Sequence, residues 1–598
     1  MIGFCKKLPQ ERVNLGEQLA SQKSGGDQRR LWQANNEGSQ TAVRYTRSLG
    51  FSAEFGPNLI IMLGYCHPGK AATVESNELF LVEILRHYRD SGEFRPPKVD
   101  GCYTLCFVDG RQGKVFLYRN LVGNTLTYYT LTEQGFYWGT NFAELVRNSR
   151  QSKAIDESQL PILFLGRYPT GGKTLLNNVF RLQPGEFVTF DGHNVTVQQV
   201  ATFADLQESH QTNEAESIER LESVTTEIMR DWHGIQPNTA NLLSGGIDST
   251  YLQVHWNAVW REKNGPGKPL SAVVWLNHEK TNPDLQYTQT AADAVDCDNI
   301  AIEQPILTPE FLAEIIGRNG EFPNHVQSVY FDTLAKGMRD RGITAGIIGE
   351  GADGLFGTGI QDVIKAAQSW KDTLVSPWLS KTVQATARVL GGDFTADAIK
   401  RSRVIGDVHN LLHPVNSAAV FTDHRTLETC FDATMLQAAI DEKLGMLETL
   451  KVVKDPQYLH WSLLAGYIWE AAVTASYWSQ LFVENGLTMC SPFLDSRMIR
   501  VATNIDDQAR FVTGNPKQVL KNALLRHVPT ELVNRPKLGF GQPVFDWLSP
   551  GGPLRERAEA IRTFDWFREK TKHELLQKPN WFLWTMLCYD IWYDTIFE

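Results

Sequence analysis

The chain has 598 residues, of which 42% are apolar and 21% are charged, with a net charge of −10. This length is too great for one hydrophobic core and predicts two or three domains. The acidic charge, without any stretch dense in Lys and Arg, argues against a nucleic-acid partner, because phosphate backbones call for a basic surface.

Cysteine usage and hydropathy favour a reducing compartment. The eight cysteines are sparse for the length, and none lies in a CxxC or Cys/His spacing typical of metal sites. The N-terminus lacks an apolar stretch followed by a cleavage site, and the apolar run "NLIIMLGY" (58–65) is far too short to cross a bilayer. The sequence therefore predicts a cytoplasmic protein with no membrane partner.

The first part of the chain is typical of an antiparallel β domain. Residues 20–40 are polar and Gly-rich and predict a surface loop. From 58 to 145, short β-rich segments recur at intervals of roughly ten residues, separated by Asp-Gly and Gly turn signals. One predicted helix at 77–92 interrupts them, and further β segments run to residue 201. These elements predict a first domain over residues 1–205.

The remainder, residues 210–598, changes to strand–helix alternation. Apolar segments that read as strands are each followed by a helical pattern, as in "TANLLSGG", "PLSAVVWLN", "NIAIEQPI" and "ITAGIIGEGADG". Such alternation is typical of a mostly parallel sheet covered by helices on both faces. Residues 360–530 read as mainly helical.

A glycine pair stands where the first of these strands passes into a helix, in "LSGGIDST" (243–250). Glycines let the backbone bend and approach a ligand, and the following helix offers unpaired N–H groups that suit phosphate. Serine hydroxyls add donors, and an aspartate can hold a metal ion that neutralises phosphate charge. The predicted phosphate ligands here, which the family resemblance described below would make ligands of ATP and pyrophosphate, are Ser244, Gly245, Gly246, Asp248 and Ser249.

A second acidic segment follows a later strand, in "AGIIGEGADGLFGTG" (345–359). Asp353 pairs with Asp248 as a predicted Mg²⁺ site, and Gly349 belongs to the predicted nucleotide site. Glu350 is the predicted proton acceptor near the reacting centre. Lys537, between Pro536 and Gly539, is a cation suited to meeting developing negative charge, although a lone lysine is more often simply solvated.

These three elements together resemble the asparagine synthetase family. "LSGGIDST" is similar to its pyrophosphate loop, "IGEGADGLFG" to its Gly-Glu-Gly-Ala-Asp signature, and "SPFLDSRMIRVATNI" to its Pro-Phe-Leu-Asp-x-Arg block. "KQVLKNALLRHVPTELVNRPKLGFGQPVFDWL" resembles its Lys-containing C-terminal segment. In the first half, "VDGCYTLCFVDGRQGKVFLYRNLVGNTLTYY" and "LQPGEFVTFDG" extend the resemblance over most of the chain.

The resemblance implies a fold and a chemistry. It implies an α+β N-terminal domain, an antiparallel sandwich of the Ntn-hydrolase type, followed by an α/β ATP-pyrophosphatase domain (adenine nucleotide α-hydrolase-like) with a parallel sheet and a helical C-terminal part. It further implies that ATP and Mg²⁺ convert a carboxylate into an acyl-adenylate, from which an amine displaces AMP. Glu350 would lie at the acyl-transfer site, and Lys537 would stabilise the intermediate.

Two departures from the family concern glutamine hydrolysis. The family's N-terminal nucleophilic cysteine is replaced by Ile2, and an isoleucine side chain cannot attack a carboxamide. Cys5 does not simply substitute, because the chemistry uses the α-amino group of the first residue as base. The family's glutamine-holding Asn-Gly-Glu appears here as Leu63-Gly64-Tyr65. The expected first domain keeps its fold and does not hydrolyse glutamine, unless the true start or register of the chain differs.

A third departure concerns the substrate pocket. Family members carry Leu-Glu-x-Arg before the Pro-Phe-Leu-Asp block, whereas this chain has Leu487-Thr488-Met489-Cys490. A pocket for free aspartate needs charged partners, so the expected substrate is not aspartate. The neighbouring aromatic segment 458–482 predicts a buried core helix or, alternatively, rings that line a cavity for a bulky substrate.

Several functions fit these residues. The leading prediction is a lasso-peptide-type macrolactam cyclase, with a carboxylate-bearing peptide substrate, its own amine as nucleophile and a leader-peptide protease as partner. β-Lactam synthetases also lack the glutaminase nucleophile, but they place Tyr where this chain has Glu350. The alternative enzyme is an asparagine synthetase-like amidotransferase that uses ammonia or a small amine. A regulatory nucleotide-binding protein and a tRNA-modifying ATP-pyrophosphatase fit less well, given the intact acidic residues and the acidic charge.

Overall fold

The computed structural model describes a large part of the chain. The described residues are 1–7, 29–35, 39–46, 50–69, 72–151, 153–169, 171–206, 211–276, 283–321, 326–357, 424–451, 472–510, 512, 514–534 and 542–598.

Two antiparallel sheets form the N-terminal part. The first has the strand order β10-β8-β9-β1-β3-β2 and the second the order β12-β11-β7-β6-β5-β4. Their strands are β1 (Ile2–Lys7), β2 (Arg29–Asn35), β3 (Ser39–Thr46), β4 (Phe51–Phe55), β5 (Asn58–His67), β6 (Asp100–Asp109), β7 (Lys114–Arg119), β8 (Tyr128–Thr132), β9 (Gly135–Gly139), β10 (Phe180–Arg181), β11 (Glu186–Phe190) and β12 (Val195–Gln199).

The two sheets face each other across a core to which both contribute. Val43 and Trp138 of the first sheet belong to one buried cluster with Ile61 and Leu117 of the second. The outer face of the second sheet packs on helix α1 (Val74–Ser91), whose start is fixed by a Thr73–Ser76 capping box. This sandwich confirms the predicted antiparallel architecture, and α1 confirms the helix predicted at 77–92.

The predicted surface loop at 20–40 is wrong for residues 29–35 and 39–40. Residues 29–35 form β2, an edge strand that pairs through seven residue pairs with β3, which begins at Ser39. Trp32 points inward and is buried, whereas Leu31 on the opposite face is exposed. The polar composition misleads because an edge strand with one face in solvent needs apolar residues only at alternate positions, on its inner face.

The C-terminal part is built on a parallel sheet with the strand order β15-β14-β13-β16-β17. Its strands are β13 (Thr239–Leu242), β14 (Leu270–Leu276), β15 (Asp298–Gln304), β16 (Ala345–Ile347) and β17 (Thr488–Cys490). All neighbouring pairs run parallel. The parallel sheet predicted from strand–helix alternation is therefore confirmed.

Helices cover and extend both parts. They are α2 (Phe142–Ser149), α3 (Gln159–Gly166), α4 (Glu214–Ile235), α5 (Ile247–Asn264), α6 (Pro283–Val295), α7 (Pro309–Asn319), α8 (Gln327–Arg339), α9 (Ala352–Phe356), α10 (His424–Cys430), α11 (Ala433–Thr449), α12 (Ala472–Glu484), α13 (Ser496–Thr503), α14 (Asp507–Arg510), α15 (Gln518–Leu524), α16 (Thr530–Val533), α17 (Val544–Leu548), α18 (Arg555–Glu559), α19 (Glu569–Gln577) and α20 (Trp581–Phe597). Short 3₁₀ turns lie at Phe203–Leu206 and Pro492–Leu494.

The order of the parallel strands determines where a ligand can enter. From β13 the chain moves outward through β14 to β15, then returns to the other side of β13 with β16. Connections that leave in opposite directions open a crevice at the carboxyl ends of the two central strands. The switch point lies between β13 and β16, the two strands that precede the predicted glycine loop and the predicted acidic segment.

Buried charges join the two parts. Arg181 of β10 forms a salt bridge of 3.4 Å with Glu321, and both side chains are almost completely buried. Arg181 also donates to the Tyr477 hydroxyl of α12. The Tyr65 hydroxyl of β5 donates to Asp495, before α13, at 2.7 Å. Because removing one partner of such a pair would leave an unpaired buried charge, these contacts fix the sandwich against the parallel-sheet domain.

The described end of the aromatic segment is core helix α12. Tyr477 and Trp478 are buried, and their rings stack on Tyr168 and Phe331 at centroid distances of 4.8 and 3.9 Å. The core interpretation is thus confirmed for these two rings, whereas Trp461, Tyr467 and Trp469 lie outside the described residues. Among the residues that the structure covers, no helix combines the length and apolarity that a membrane span requires.

Candidate nucleotide-binding and amide-forming site

The glycine loop, residues 243–246, turns sharply between β13 and α5. Gly245 has a φ of 68°, in the left-handed region that favours glycine. A Cβ at this position would lie 2.6 Å from the carbonyl oxygen of Tyr287 in α6. Gly246 is the N-cap of α5. Because glycine has no side chain, no side-chain oxygen caps the N-terminus of this helix. The loop therefore leaves the first N–H groups of an 18-residue helix for a ligand.

Serine hydroxyls stiffen this loop from within. The Ser249 hydroxyl accepts a hydrogen bond from the Ser244 backbone N–H at 3.1 Å and lies 3.1 Å from the Ser244 hydroxyl. Asn241 of β13 donates to the Ser249 carbonyl at 3.0 Å. The loop is thus held in one shape before any ligand arrives, which reduces the cost of ordering it on binding.

The acidic loop, residues 348–351, follows β16 and touches the first turn of α5. A Cβ at Gly349 would lie 3.2 Å from the Asp248 Cβ, so a larger residue would press the acidic loop away from this turn. Gly351 has a φ of 101° and lies against Phe493 and Leu494. Glycine at these positions allows the two strand ends to approach closely. The predicted residues of both segments therefore meet at the switch point.

A lysine that the sequence analysis did not single out completes the site. The Lys517 Nζ lies 2.7 and 2.6 Å from the two carboxylate oxygens of Asp248 and also contacts Asp353. The Lys517 side chain is only 6% exposed. Its backbone has a φ of 62°, and its N–H donates to the Phe356 carbonyl at the end of α9. Lys517 is therefore held rigidly between the two aspartates.

The charge balance of this cluster keeps Lys517 protonated. Burial alone would lower the pKa of Lys517, but the negative charges of Asp248 and Asp353 outweigh it and raise the pKa above its ordinary value. The pair of aspartates thus faces a fixed positive charge.

The only feature of the sequence that points to Lys517 is its position at the start of the C-terminal Lys-containing segment, twenty residues before Lys537.

The residues fit a magnesium ion that arrives with a nucleotide. Asp248 and Asp353 converge on a single cation, Lys517, so their carboxylates can reach a common point. Mg²⁺ is commonly bound by one or two carboxylates plus phosphate oxygens and waters. Within the described ranges, no group of three or more His, Cys, Asp and Glu forms a metal site. A metal here would therefore depend on phosphate as well as on the two aspartates.

The two predicted catalytic residues are Glu350 and Lys537. Glu350 is partly buried in the acidic loop, three residues before Asp353 in the sequence. Lys537 lies outside the described residues. The fixed cation that the structure does place at the aspartates is Lys517.

Ile2, Cys5 and Tyr65 of the N-terminal part are buried. Ile2 is 2% exposed in β1, which pairs on both sides with β3 and β9. The Cys5 thiol contacts the Gly113 carbonyl and accepts from the Thr41 hydroxyl, inside the sandwich. Burial raises the pKa of the Tyr65 hydroxyl, and the negative charge of Asp495 raises it further. Asp495 in turn is held by Arg497.

A doubly wound sheet whose switch point holds a phosphate-type loop and paired carboxylates defines a nucleotide-dependent α/β enzyme domain. Residues 236–592, more than half of the chain, match the asparagine synthase family, and residues 82–201 match the glutamine amidotransferase domain family. The chain belongs to the asparagine synthase family. It is accordingly an asparagine synthetase-like, ATP-dependent amide-forming enzyme.

Individual relatives are distant. The chain is 21% identical over 557 residues to "Asparagine synthetase [glutamine-hydrolyzing] 1" of Bacillus subtilis, which covers 89% of this chain and 82% of that protein. A putative asparagine synthetase of Mycobacterium bovis is 28% identical over 134 residues, or 20% of each chain. Glutamine phosphoribosylpyrophosphate amidotransferase from B. subtilis, solved with ADP and GMP, overlaps 50% of this chain and 65% of its own, at 8% identity and a TM-score of 0.18.

Proposed function

We propose that this enzyme activates a substrate carboxylate as an acyl-adenylate and transfers the acyl group to an amine that does not come from glutamine. In the first step a carboxylate oxygen attacks the α-phosphorus of ATP, and pyrophosphate leaves. In the second step the amine nitrogen attacks the acyl carbon, the bond to AMP breaks, and one proton leaves the nitrogen. The observation that carries this proposal is the convergence of Asp248, Asp353 and Lys517 beside the glycine loop.

Each residue of the site has its own role in this reaction. The N–H groups at the start of α5 and the hydroxyls of Ser244 and Ser249 bind the leaving pyrophosphate. Asp248 and Asp353 would hold Mg²⁺, which would supply positive charge against the phosphate oxygens. Lys517 adds a second, fixed positive charge at the same place. Glu350 accepts the proton of the attacking amine.

The strand beside the acidic loop lacks the charges that free aspartate needs. Thr488, Met489 and Cys490 form β17 at the edge of the parallel sheet, beside β16 and its acidic loop. Burial raises the pKa of the Cys490 thiol, so this residue stays neutral. A neutral strand at this place supports a substrate other than aspartate.

The N-terminal part serves as a scaffold in this proposal. Ile2 offers no nucleophile, and Cys5 is enclosed between strands. Tyr65 directs its hydroxyl to Asp495 in the parallel-sheet domain instead of offering a carboxylate to glutamine. These contacts support a role in joining the two parts.

Product analysis tests the reaction type. With ATP, Mg²⁺ and a set of carboxylates and amines, we expect AMP and pyrophosphate in equal amounts, and an amide of the expected mass. The macrolactam form of the proposal, with a precursor peptide and its leader-peptide protease as partners, predicts a product lighter than the processed peptide by one water. Formation of ADP and phosphate without AMP would contradict the adenylation step.

A glutamine assay tests the nitrogen source. We expect no glutamate above a no-enzyme control when the enzyme turns over with glutamine, because Ile2 and Tyr65 supply neither the nucleophile nor the glutamine contact. Ammonium chloride or an organic amine, added in parallel, should support product formation under the same conditions. Glutamate release that tracks AMP formation would show that the N-terminal part is an active glutaminase.

A further inference from the structure

A cleft of about 180 Å³ lies between the sandwich and the parallel-sheet domain, alongside the edge strand β17. Its walls come from β4, β5 and α1 on one side and from α4, α12 and β17 on the other. Val74 and Glu78 of α1 are exposed at its mouth, whereas Tyr65, Cys490 and Ser491 are buried at its inner end. The cleft therefore leads from solvent to the junction of the two parts.

The wall of the cleft combines apolar surface with few charges. Phe51, Trp232 and Val483 supply rings and a branched side chain. None of the described lining residues is Lys or Arg, and the one carboxylate, Glu78, is at the exposed mouth. Such a wall accepts an uncharged, partly apolar molecule, because a charge taken inside would lose its water without a partner.

A polar atom at the inner end lacks a hydrogen-bond partner. Ser491 is 3% exposed, and its hydroxyl makes no hydrogen bond to any residue in the described part of the chain. The Thr488 hydroxyl in the same wall is also buried without a partner. Buried hydroxyls are normally satisfied, and a hydroxyl can both donate and accept. A ligand that carries an N–H group and a nitrogen lone pair would satisfy Ser491.

The inner end adjoins the amide-forming site. The Cys490 carbonyl, one residue before Ser491, accepts the N–H of Ile348 in the acidic loop at 2.9 Å. Two residues after Ser491, Phe493 lies 3.2 Å from the position of a Cβ on Gly351. The inner end of the cleft therefore adjoins the backbone of the acidic loop.

We infer that this cleft is the binding site of the acceptor, a small organic amine that enters uncharged and places its nitrogen at Ser491. The inference rests on the proposed function and specifies its amine. It favours a separate small amine over the terminal amine of a folded peptide. An engineered protein cavity of about 150 Å³ binds benzene, so a cleft of this size accommodates an amine with one ring.

Aniline is a suitable probe because it is uncharged at neutral pH. The full-length protein, without nucleotide, is titrated with aniline and with toluene, which has the same shape without the nitrogen, and binding is measured by calorimetry. We expect aniline to bind about three- to tenfold more tightly than toluene, the effect of one additional hydrogen bond. Ser491→Ala should remove that preference and leave toluene binding unchanged.

Filling the cleft gives a second test with a matched control. Val483→Trp, in the wall of the cleft, should abolish aniline binding, whereas Val197→Trp on the exposed edge strand β12 should not. Binding of Mg²⁺ and ATP, with the circular dichroism spectrum, shows that each variant is folded. Absence of aniline binding in a protein that binds Mg²⁺ and ATP would overturn the inference and leave the proposed function intact. Equal binding of aniline and toluene, unaffected by Ser491→Ala, would show that the cleft binds apolar molecules without using the Ser491 hydroxyl. That result would also overturn the inference.

Discussion

Replacement of Asp248 by asparagine is expected to lower substrate-dependent pyrophosphate release by at least about 100-fold, since loss of residues that only support a metal ligand already costs about 10- to 100-fold. Asparagine keeps the shape of the side chain and one oxygen that can accept from Lys517. It removes the charge with which Asp248 would bind Mg²⁺ together with Asp353. The measurement is pyrophosphate release at saturating ATP, over a range of Mg²⁺ concentrations.

The matched control is Asp298→Asn, an exposed aspartate at the amino end of β15, away from the carboxyl ends where the loops meet. It should retain the wild-type rate. If Asp248→Asn released pyrophosphate at the wild-type rate, the two aspartates would not be the metal ligands. Recovery of the variant at high Mg²⁺ would instead identify weakened metal binding as the defect.

The sequence was sufficient to predict which segments meet at the switch point, because each segment is defined by a local pattern. The order of an apolar strand, Ser-Gly-Gly and a helix is contained in residues 239–250, and Gly245 has the left-handed backbone that such a turn needs. The acidic loop is equally compact. The rule that parallel strands end at one edge of the sheet then brings Asp248 and Asp353 together.

Contacts between distant segments were harder to predict. Tyr65 was interpreted as a lost glutamine ligand, but its bond to Asp495, 430 positions away, arises only when the two parts are packed. The strand β2 was missed because its single inward ring, Trp32, stands in a polar segment whose partner strand is not evident locally. The short strand β17 has three residues, too few for a periodic pattern.

Lys537 and Lys517 also show that local sequence patterns do not reveal contacts made by tertiary packing. Pro and Gly around Lys537 made it conspicuous, whereas Lys517 stands in an ordinary helical pattern. What distinguishes Lys517 is its left-handed backbone at the N-cap of α15 and the bond of its N–H to Phe356, both of which depend on tertiary packing. The structure therefore adds a residue to the site that composition and spacing did not indicate.

Replacement of Lys517 by methionine is expected to have the second large effect, on stability as well as on activity. The two carboxylates would then face each other without their cation. Breaking a buried ion pair costs about 3–5 kcal/mol, but Asp248 and Asp353 are partly exposed, so we expect the free energy of unfolding to fall by about 1–2 kcal/mol. Loss of one fixed charge that stabilises phosphate should also lower pyrophosphate release by about 100- to 1000-fold.

Magnesium should distinguish this mechanism from a general loss of packing. Without Lys517 the charges of Asp248 and Asp353 are not neutralised, so Mg²⁺ should bind them more tightly. Millimolar Mg²⁺ alone should therefore raise the thermal midpoint of Lys517→Met more than that of the wild type. Lys521→Met, one turn later in α15 and bonded to Asn515 rather than to the aspartates, is the control and should show no such gain. If Mg²⁺ left the midpoint of Lys517→Met unchanged while the wild type bound Mg²⁺ and ATP normally, the lysine and the metal would not share one site.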